Sequence, residues 1–271
     1  MKFSVLISVY KNDIPDYFNQ AVSSILNQTL LPNEIVLVRD GNVGIELNKE
    51  IQSFINNKIV KVKYIELDEN VGLGLALSIG MKHVSYDYVA RMDSDDISNP
   101  SRFEIQMKHL KEFPDISVLG SYIKEFSANK KERYIKKVPT KSRAIKSYSK
   151  YRNPVNHVSV ILRKSSVEKA GGYESVPSYE DYYLWLKMIF LDLKIENIPI
   201  SLVDVRTTKQ IARRRGWSIF RNDLYFFKKV YKEKYIKLHV FLVNLLIRFF
   251  VRIMPLSLTA FSYKLIRKFS K

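Results

Sequence analysis

Over the first 120 residues, short β-branched apolar runs alternate with stretches of helical periodicity, and this rhythm limits the possible folds more than any other feature of the chain. FSVLISVY (3–10), EIVLVRD (34–40), IVKVKYIEL (59–67) and YDYVARM (86–92) have the composition of strands. Between them, YFNQAVSSILNQ (17–28), GIELNKEIQSFI (44–55) and GLGLALSIGMKHV (72–84) repeat apolar residues at helical spacing. A βαβαβ order predicts an α/β layer built on a mostly parallel sheet. Ligands of such sheets bind outside the carboxyl ends of the strands. Tyr10, Asp40 and Asp93 all fall at those ends, so a single crevice can hold all three.

The pattern continues with a helix, PSRFEIQMKHLKEF (100–113), whose Pro100 suits a first turn, and a strand, ISVLGSYIKEF (116–126). The lysine-rich stretch 129–150 reads as a solvated loop with a short helix. HVSVILRK (157–164) reads as a strand, GGY (171–173) as a turn and YEDYYLWLKMIFLD (179–192) as an amphipathic helix. The chain has no cysteine, which excludes disulfides, thiolate chemistry and cysteine-based zinc sites and fits a cytoplasmic protein. At the N-terminus, MKFSVLISVYKND has an apolar run of only eight residues and no small-residue cleavage site. It reads as a first strand and not as a signal peptide.

The net charge of +18 is unevenly distributed. Residues 206–271 carry 17 Lys and Arg against Asp223 and Glu233, a net +15, whereas residues 1–205 carry 28 basic and 25 acidic side chains, a net +3. The uncharged run Leu238–Ile247 has ten residues, half of the roughly 20 needed to span a bilayer. On a helix, Lys237, Asn244, Arg248 and Arg252 line one face, and Leu242, Leu245, Leu246, Phe249 and Ile253 lie mostly on the other. After Pro255, LTAFSYKLIRKFSK supplies a second basic amphipathic piece. Such helices bind anionic membrane surfaces, pack on their own domain or pair with another subunit.

YVARMDSDDIS (88–98) ends a strand by crowding Asp93, Asp95 and Asp96 into four positions. In extended backbone Asp93 and Asp95 point the same way, so both can reach one divalent cation and the diphosphate it carries. Mg²⁺ and Mn²⁺ favour such oxygen ligands. An isolated D-x-D is most often a solvated turn, but its place after a strand, with Arg91 before it and Asp96 after it, favours the metal reading. The glycines do not form a dinucleotide fingerprint, because Gly72-x-Gly74 is followed by Leu77 where a third glycine belongs.

Taken together, ISVYKND (7–13), VLVRDG (36–41), ENVGLGLALSIGM (69–81), ARMDSDD (90–96), NHVSVILRK (156–164) and YEDYYLWLK (179–187) resemble, in order and separation, the inverting family 2 glycosyltransferases of the GT-A fold, which build bacterial polysaccharides. The resemblance covers residues 1–205. It implies a GT-A, Rossmann-like nucleotide-diphospho-sugar transferase fold, with a donor-binding half at 1–115, an acceptor-binding half at 116–205 and a basic amphipathic helical extension at 206–271. The implied activity is transfer of a hexose or N-acetylhexosamine from a UDP-sugar, with Mn²⁺ or Mg²⁺, to a glycan or lipid-linked saccharide. Lipopolysaccharide, capsule or exopolysaccharide synthesis is the implied setting, on the inner face of the cytoplasmic membrane.

The resemblance also assigns residues. Ser8 and Tyr10 would touch base and ribose, Asp40 would accept the uracil N3–H or else is a turn aspartate, and Asn70 and Gly72 would let backbone approach the donor. Asp93 and Asp95 would hold the metal, with Ser94 facing the donor, while Arg91 would meet the diphosphate or neutralise the aspartates. Asp96 either supports the metal from behind or begins the next turn. His157 would lie near the donor phosphates or the acceptor. Asp181 is the implied general base, with Glu180 the alternative or an acceptor-binding group, although both equally suit a helix N-terminus. Trp185 would stack on a sugar or, more in keeping with its apolar face, fill the core. Arg206 and IARRRG (211–216) would close over the diphosphate or begin the basic tail. Two other classes compete. A nucleotidyltransferase should carry a Gly-rich phosphate loop after the first strand, which SVYKND lacks. A non-catalytic membrane- or nucleic-acid-binding protein would act through the tail, but its basic residues are interleaved with aliphatic runs, so no specific nucleic-acid partner is expected.

Overall fold

The computed structural model describes residues 1–127, 133–207 and 216–253. The chain divides into two compact units, the first ending at Arg206.

The first unit is built on a sheet that has, among the described residues, nine strands in the order β3-β2-β1-β4-β8-β6-β9-β5, with β7 on β6. Strands β1 (Phe3–Tyr10), β2 (Glu34–Asp40), β3 (Val62–Leu67) and β4 (Tyr88–Asp93) run parallel. They are joined by α1 (Pro15–Leu26), α2 (Ile45–Ile55) and α3 (Leu73–His83). Then β5 (Ile97–Ser98), α4 (Arg102–Glu112), β6 (Ile116–Ser127), β7 (Arg133–Lys136), α5 (Ser142–Tyr148), β8 (Ile161–Arg163), α6 (Lys164–Lys169), α7 (Glu180–Phe190) and β9 (Lys194–Thr207) complete the unit. Strand β8 lies antiparallel to β4 and to β6.

Periodicity explains the layering. Helix α1 starts at Pro15, whose missing N–H costs nothing at that position, and buries Phe18, Ala21, Val22 and Ile25. It stops where Asn27 returns its backbone and side-chain N–H groups to the Ser23 carbonyl, at 3.1 and 3.0 Å. Residues of alternating parity on β1 face opposite layers. Phe3, Val5, Ile7 and Val9 pack with residues of α1, α2 and α4, while Leu6 packs with Ala76, Leu77 and Met81 of α3 and Leu184, Trp185 and Met188 of α7. Fully buried side chains such as Phe18, Ile25 and Phe103 stabilise by about 1.5–3 kcal/mol each.

The strand order reverses direction between β1 and β4. That is the topological switch point, where an open α/β sheet leaves a crevice at its carboxyl edge. Ser8 sits opposite Asp93 across β1/β4, and Tyr10 opposite Asp40 across β1/β2.

Two sequence expectations need correction. Residues 157–164 are not one strand: a 3₁₀ turn, His157–Ser159, precedes β8, and helix α6 starts at Lys164. The Ser159 hydroxyl donates to the Asn156 carbonyl at 2.8 Å and to the Ser121 carbonyl at 3.2 Å, and such local bonding competes with strand pairing. Part of the lysine-rich stretch is also a strand, since β7 pairs with β6 from Ile123↔Lys136 to Phe126↔Arg133.

The second unit contains α8 (Trp217–Lys232) and α9 (Leu238–Ile253), which pack on each other. Helix α8 falls within the helical extension expected over 206–271, although the sequence alone set no bounds for it. Arg252 bonds Asp223 at 2.8 and 3.2 Å, Arg248 lies over Phe227 at 4.6 Å, and Tyr231 stacks on Phe241 at 5.2 Å. Pro255, the segment after it and residues 211–215 of IARRRG lie outside the described residues.

Candidate active site

The carboxyl ends of β1, β2 and β4 carry the site, and each end is built differently. At β2, Asp40 is buried and accepts three N–H donors: Asn70 Nδ2 at 2.9 Å, Val71 N at 2.7 Å and Gly72 N at 3.0 Å. The loop before α3 is therefore pinned to β2 by one carboxylate. Gly41 makes this possible: its φ is +80°, and a Cβ there would lie 2.7 Å from the Asn70 nitrogen. Three bonds use most of the roughly four acceptor positions of a carboxylate, so one position remains for a ligand such as a base N–H.

At β1, the chain turns back after Tyr10, which is 39% exposed and available to a ligand face. Asp13 accepts the Tyr10 N–H at 3.0 Å and the Ser94 hydroxyl at 2.7 Å. Ser94 is thus spent on Asp13, and Asp13 joins the acidic turn as a fourth carboxylate that the sequence reading did not single out. The available signal was its place three residues beyond a strand end at the carboxyl edge. Burial, reinforced by the Asp93 charge and opposed by its two hydrogen bonds, pushes Asp13 up to about 6.

At β4, one oxygen each from Asp93, Asp95 and Asp96 lies within 4.8 Å of the others. Burial first, then the charges of Asp93 and Asp13, push Asp95 up to about 6. Burial and the same like-charge crowding raise Asp96 well above the ordinary range. Arg91, itself buried, forms an ion pair with Asp93. Asp96 accepts the Arg206 backbone N–H at 2.8 Å, and the Arg206 guanidinium donates to the Asp95 carbonyl at 3.1 Å and to Gln20 at 3.1 Å. That guanidinium also lies 3.8 Å from the Tyr17 ring centre. Arg206 thus ties the end of β9 to the acidic turn from behind.

The opposite wall comes from α7 and the turns before it. Glu180 and Asp181 occupy the first turn of α7, where carboxylates complement the helix dipole. Burial raises both, and Asn153 opposes this at Asp181 by donating to its Oδ2 at 2.6 Å. The Arg91 charge is felt at both carboxylates, which links this wall to β4. Glu180 also meets α3: a Cβ on Gly74 would lie 2.7 Å from Glu180 Cγ and 2.9 Å from the Glu174 carbonyl oxygen. His157 is hydrogen-bonded to the Tyr173 hydroxyl at 2.9 Å and is held neutral, first by burial and then by Arg91. Trp185 is fully buried, its ring 5.9 Å from that of His157, so it serves the core and not a sugar. Asn153 and Tyr173 belong to this wall, and the sequence reading named neither.

The chemistry of the donor set fits a hard divalent cation. The three clustered carboxylates Asp93, Asp95 and Asp96 supply only oxygen, which suits Mg²⁺ or Mn²⁺. An α/β sheet with an acidic turn at its switch point and carboxylates across the crevice defines the class of nucleotide-diphospho-sugar transferases with the GT-A fold.

Residues 4–169 match the model of glycosyl transferase family 2, and the chain belongs to that family. It is 38% identical over 271 residues to the UDP-Gal:alpha-D-GlcNAc-diphosphoundecaprenol beta-1,3-galactosyltransferase of Escherichia coli, covering 99% of this chain and 98% of that protein. It is 34% identical to the amylovoran biosynthesis glycosyltransferase AmsE of Erwinia amylovora, covering 98% and 99%. Residues 1–349 of S. aureus TarS share its fold, with a TM-score of 0.66 at 18% identity, over 92% of this chain and 72% of that one. The enzyme is a glycosyltransferase.

Proposed function

We propose that the enzyme transfers a hexose or N-acetylhexosamine from a UDP-sugar, with inversion, to a lipid-linked glycan in the synthesis of a bacterial surface polysaccharide. The observation that carries this reading is the acidic turn Asp93–Asp96 at the β1/β4 switch point, with Arg91 paired to Asp93 and its charge also felt at Asp181. The full-length likeness to a galactosyltransferase whose name specifies UDP-Gal and a diphosphoundecaprenol acceptor supports the donor and acceptor classes.

Residues 1–115 form the donor half. Ser8 and Tyr10 meet the base and ribose, and Asp40 offers its remaining acceptor position to a base N–H. Asn70 and Gly72 shape the loop beside the donor. Asp93 and Asp95 hold Mn²⁺ or Mg²⁺, and Asp96 supports them through the Arg206 backbone. When bound, that cation would take up the negative charge growing on the departing diphosphate. Arg91 keeps Asp93 aimed and adds a positive charge on the donor side.

Residues 116–205 form the acceptor half. Asp181 removes the proton of the attacking hydroxyl, the one base that inverting displacement needs. Burial raises its proton affinity, and Asn153 fixes one of its oxygens. Glu180, one position earlier, binds the acceptor or shares the base role. His157 and Tyr173 form a neutral buffer between Arg91 and the core. The basic segment 206–271 attaches the enzyme to the anionic inner face of the cytoplasmic membrane, where a lipid-linked acceptor resides.

The test is thermal stability against UDP-, GDP- and CMP-sugars with and without Mn²⁺, in the wild type and Asp95→Ala. A ligand at about 100 times its Kd adds roughly 2.7 kcal/mol. Cation-dependent stabilisation by one UDP-sugar, absent in the variant, is the expected result. Stabilisation by UDP-sugars that persists in Asp95→Ala would remove the acidic turn from donor binding.

A further inference from the structure

Helix α9 turns its charges toward α8 and its apolar side chains outward. Along α9, Leu238, Leu242, Val243, Leu246, Ile247 and Phe250 are 42–59% exposed. His239 is the one polar residue among the exposed positions of this helix. The polar stripe points the other way: Asn244 is 3% exposed, Arg252 pairs with Asp223, and Arg248 covers the Phe227 ring. A water-soluble helical hairpin normally has the reverse arrangement.

On α8 most of the exposed residues are aromatic or basic. Trp217, Tyr225 and Tyr231 alternate with Arg221, Lys228 and Lys232. Aromatic rings of this kind favour the lipid headgroup level, and Lys and Arg side chains reach anionic headgroups from there. Charge identifies the occupant of the apolar face. A second copy would bring two segments of net +15 together, whereas an anionic bilayer neutralises them. No helix among the described residues is long and apolar enough to cross a membrane.

We infer that α9 is an in-plane membrane wedge: its outward face sinks below the headgroups while the inward Arg252–Asp223 pair keeps the helix charges out of the lipid. The inference rests on the membrane reading of the basic segment and adds that apolar insertion, and not charge alone, holds the enzyme down. A surface bound only by charge rides above the lipid, while an inserted face buries apolar area about 5–10 Å deep.

The chain contains a depth probe. Of its two tryptophans, Trp185 is fully buried and Trp217 is 63% exposed and packed beside Phe249. Wild-type full chain would be floated with phosphatidylcholine vesicles with and without phosphatidylglycerol, and its fluorescence read with acyl-brominated lipids. The comparisons are the triple variant Leu242→Asp/Leu246→Asp/Phe250→Asp and the charge variant Arg221→Glu/Lys228→Glu/Lys232→Glu. Expected are flotation with anionic vesicles, quenching of Trp217, and a loss of vesicle binding of about tenfold or more in the apolar-face variant. Its circular dichroism and donor hydrolysis should stay as in wild type.

Binding by wild type without quenching, retained in the apolar-face variant and lost in the charge variant, would overturn the wedge and leave membrane attachment intact. No flotation at all would overturn both. A wild-type dimer that the apolar-face variant turns into monomers would overturn the wedge alone, because the face would then belong to a second copy. If the triple variant loses its helical signal, the wild-type quenching decides alone.

Discussion

Strands β2 and β4 flank β1 and both end on aspartate at the same edge of the sheet, yet the chain treats the two ends in opposite ways. Asp40 is surrounded by donors: Asn70, Val71 and Gly72 all give it N–H groups. At β4, Asp93 has Arg91, Asp96 has one backbone N–H, and no hydrogen bond reaches the Asp95 carboxylate among the described residues. A buried carboxylate that is well bonded is a structural part. A cluster of three carboxylates that shares one paired arginine and few hydrogen bonds is a site in which a bound cation would be part of the stable state. The same residue type at equivalent strand ends is divided between the two roles by its donors.

The largest effect that could break this contrast is on the rate. Asp95→Ala should lower sugar transfer by about 10³-fold while its melting temperature at pH 7 holds or rises, since a half-buried carboxylate crowded by Asp93 and Asp13 is gone. A variant that melts lower and still transfers sugar would make β4 a structural end like β2. Next, Asp181→Asn should slow transfer by about 10²-fold, with donor affinity measured by titration unchanged. A matching loss of donor affinity would move Asp181 to the donor wall.

Asp40→Ala should show the opposite signature to Asp95→Ala. Stranding the Val71 and Gly72 N–H groups costs about 1–3 kcal/mol each, which calorimetry would register as a melting temperature several degrees lower. An unchanged melting temperature would mean that the loop is held by something else.

The smallest effect is the pH dependence. Asp13 and Asp95 rise from 3.8 to about 6 on folding, so the folded chain binds these protons more tightly than the unfolded one. Their stabilisation is complete below about pH 4 and is lost as pH rises through 6. In chelator, the melting temperature should therefore fall across that window relative to the Asp13→Asn/Asp95→Asn double variant. Added Mn²⁺ should flatten the wild-type curve. Parallel curves for wild type and double variant would show that neither carboxylate is strained.

Where sequence alone sufficed, the residues were local. Strands β1 and β2 run over the apolar blocks 3–10 and 34–40 as read, because a parallel strand covered on both faces is a continuous apolar run. The start of β3 was read three residues early. Asn57 accepts the N–H groups of Ile59 and Val60 at 2.9 and 3.0 Å, and this local turn holds them off the sheet. Strand β7 went unread because its exposed RYIK has no alternating apolar face. The positions of Asp93 and Asp95 at a strand end and of Asp181 in the first turn of a helix were legible from motifs. Asp13 and Asn153 were not, since their partners Ser94 and Asp181 are 81 and 28 residues away. A basic amphipathic helix was expected near residue 240, but the direction its charges face depends on α8, whose Asp223 is 29 residues from Arg252.

The contact between Gly74 and Glu180 bears on how such an enzyme could change its substrates. Helix α3 and the first turn of α7 meet at a position where even a methyl group does not fit. A new donor loop grafted from a relative would fail on bulk at residue 74 before its chemistry mattered. If these two segments serve donor and acceptor as proposed, the two preferences are not independent modules, and exchanging one requires carrying the glycine, or a shortened residue 180, along with it.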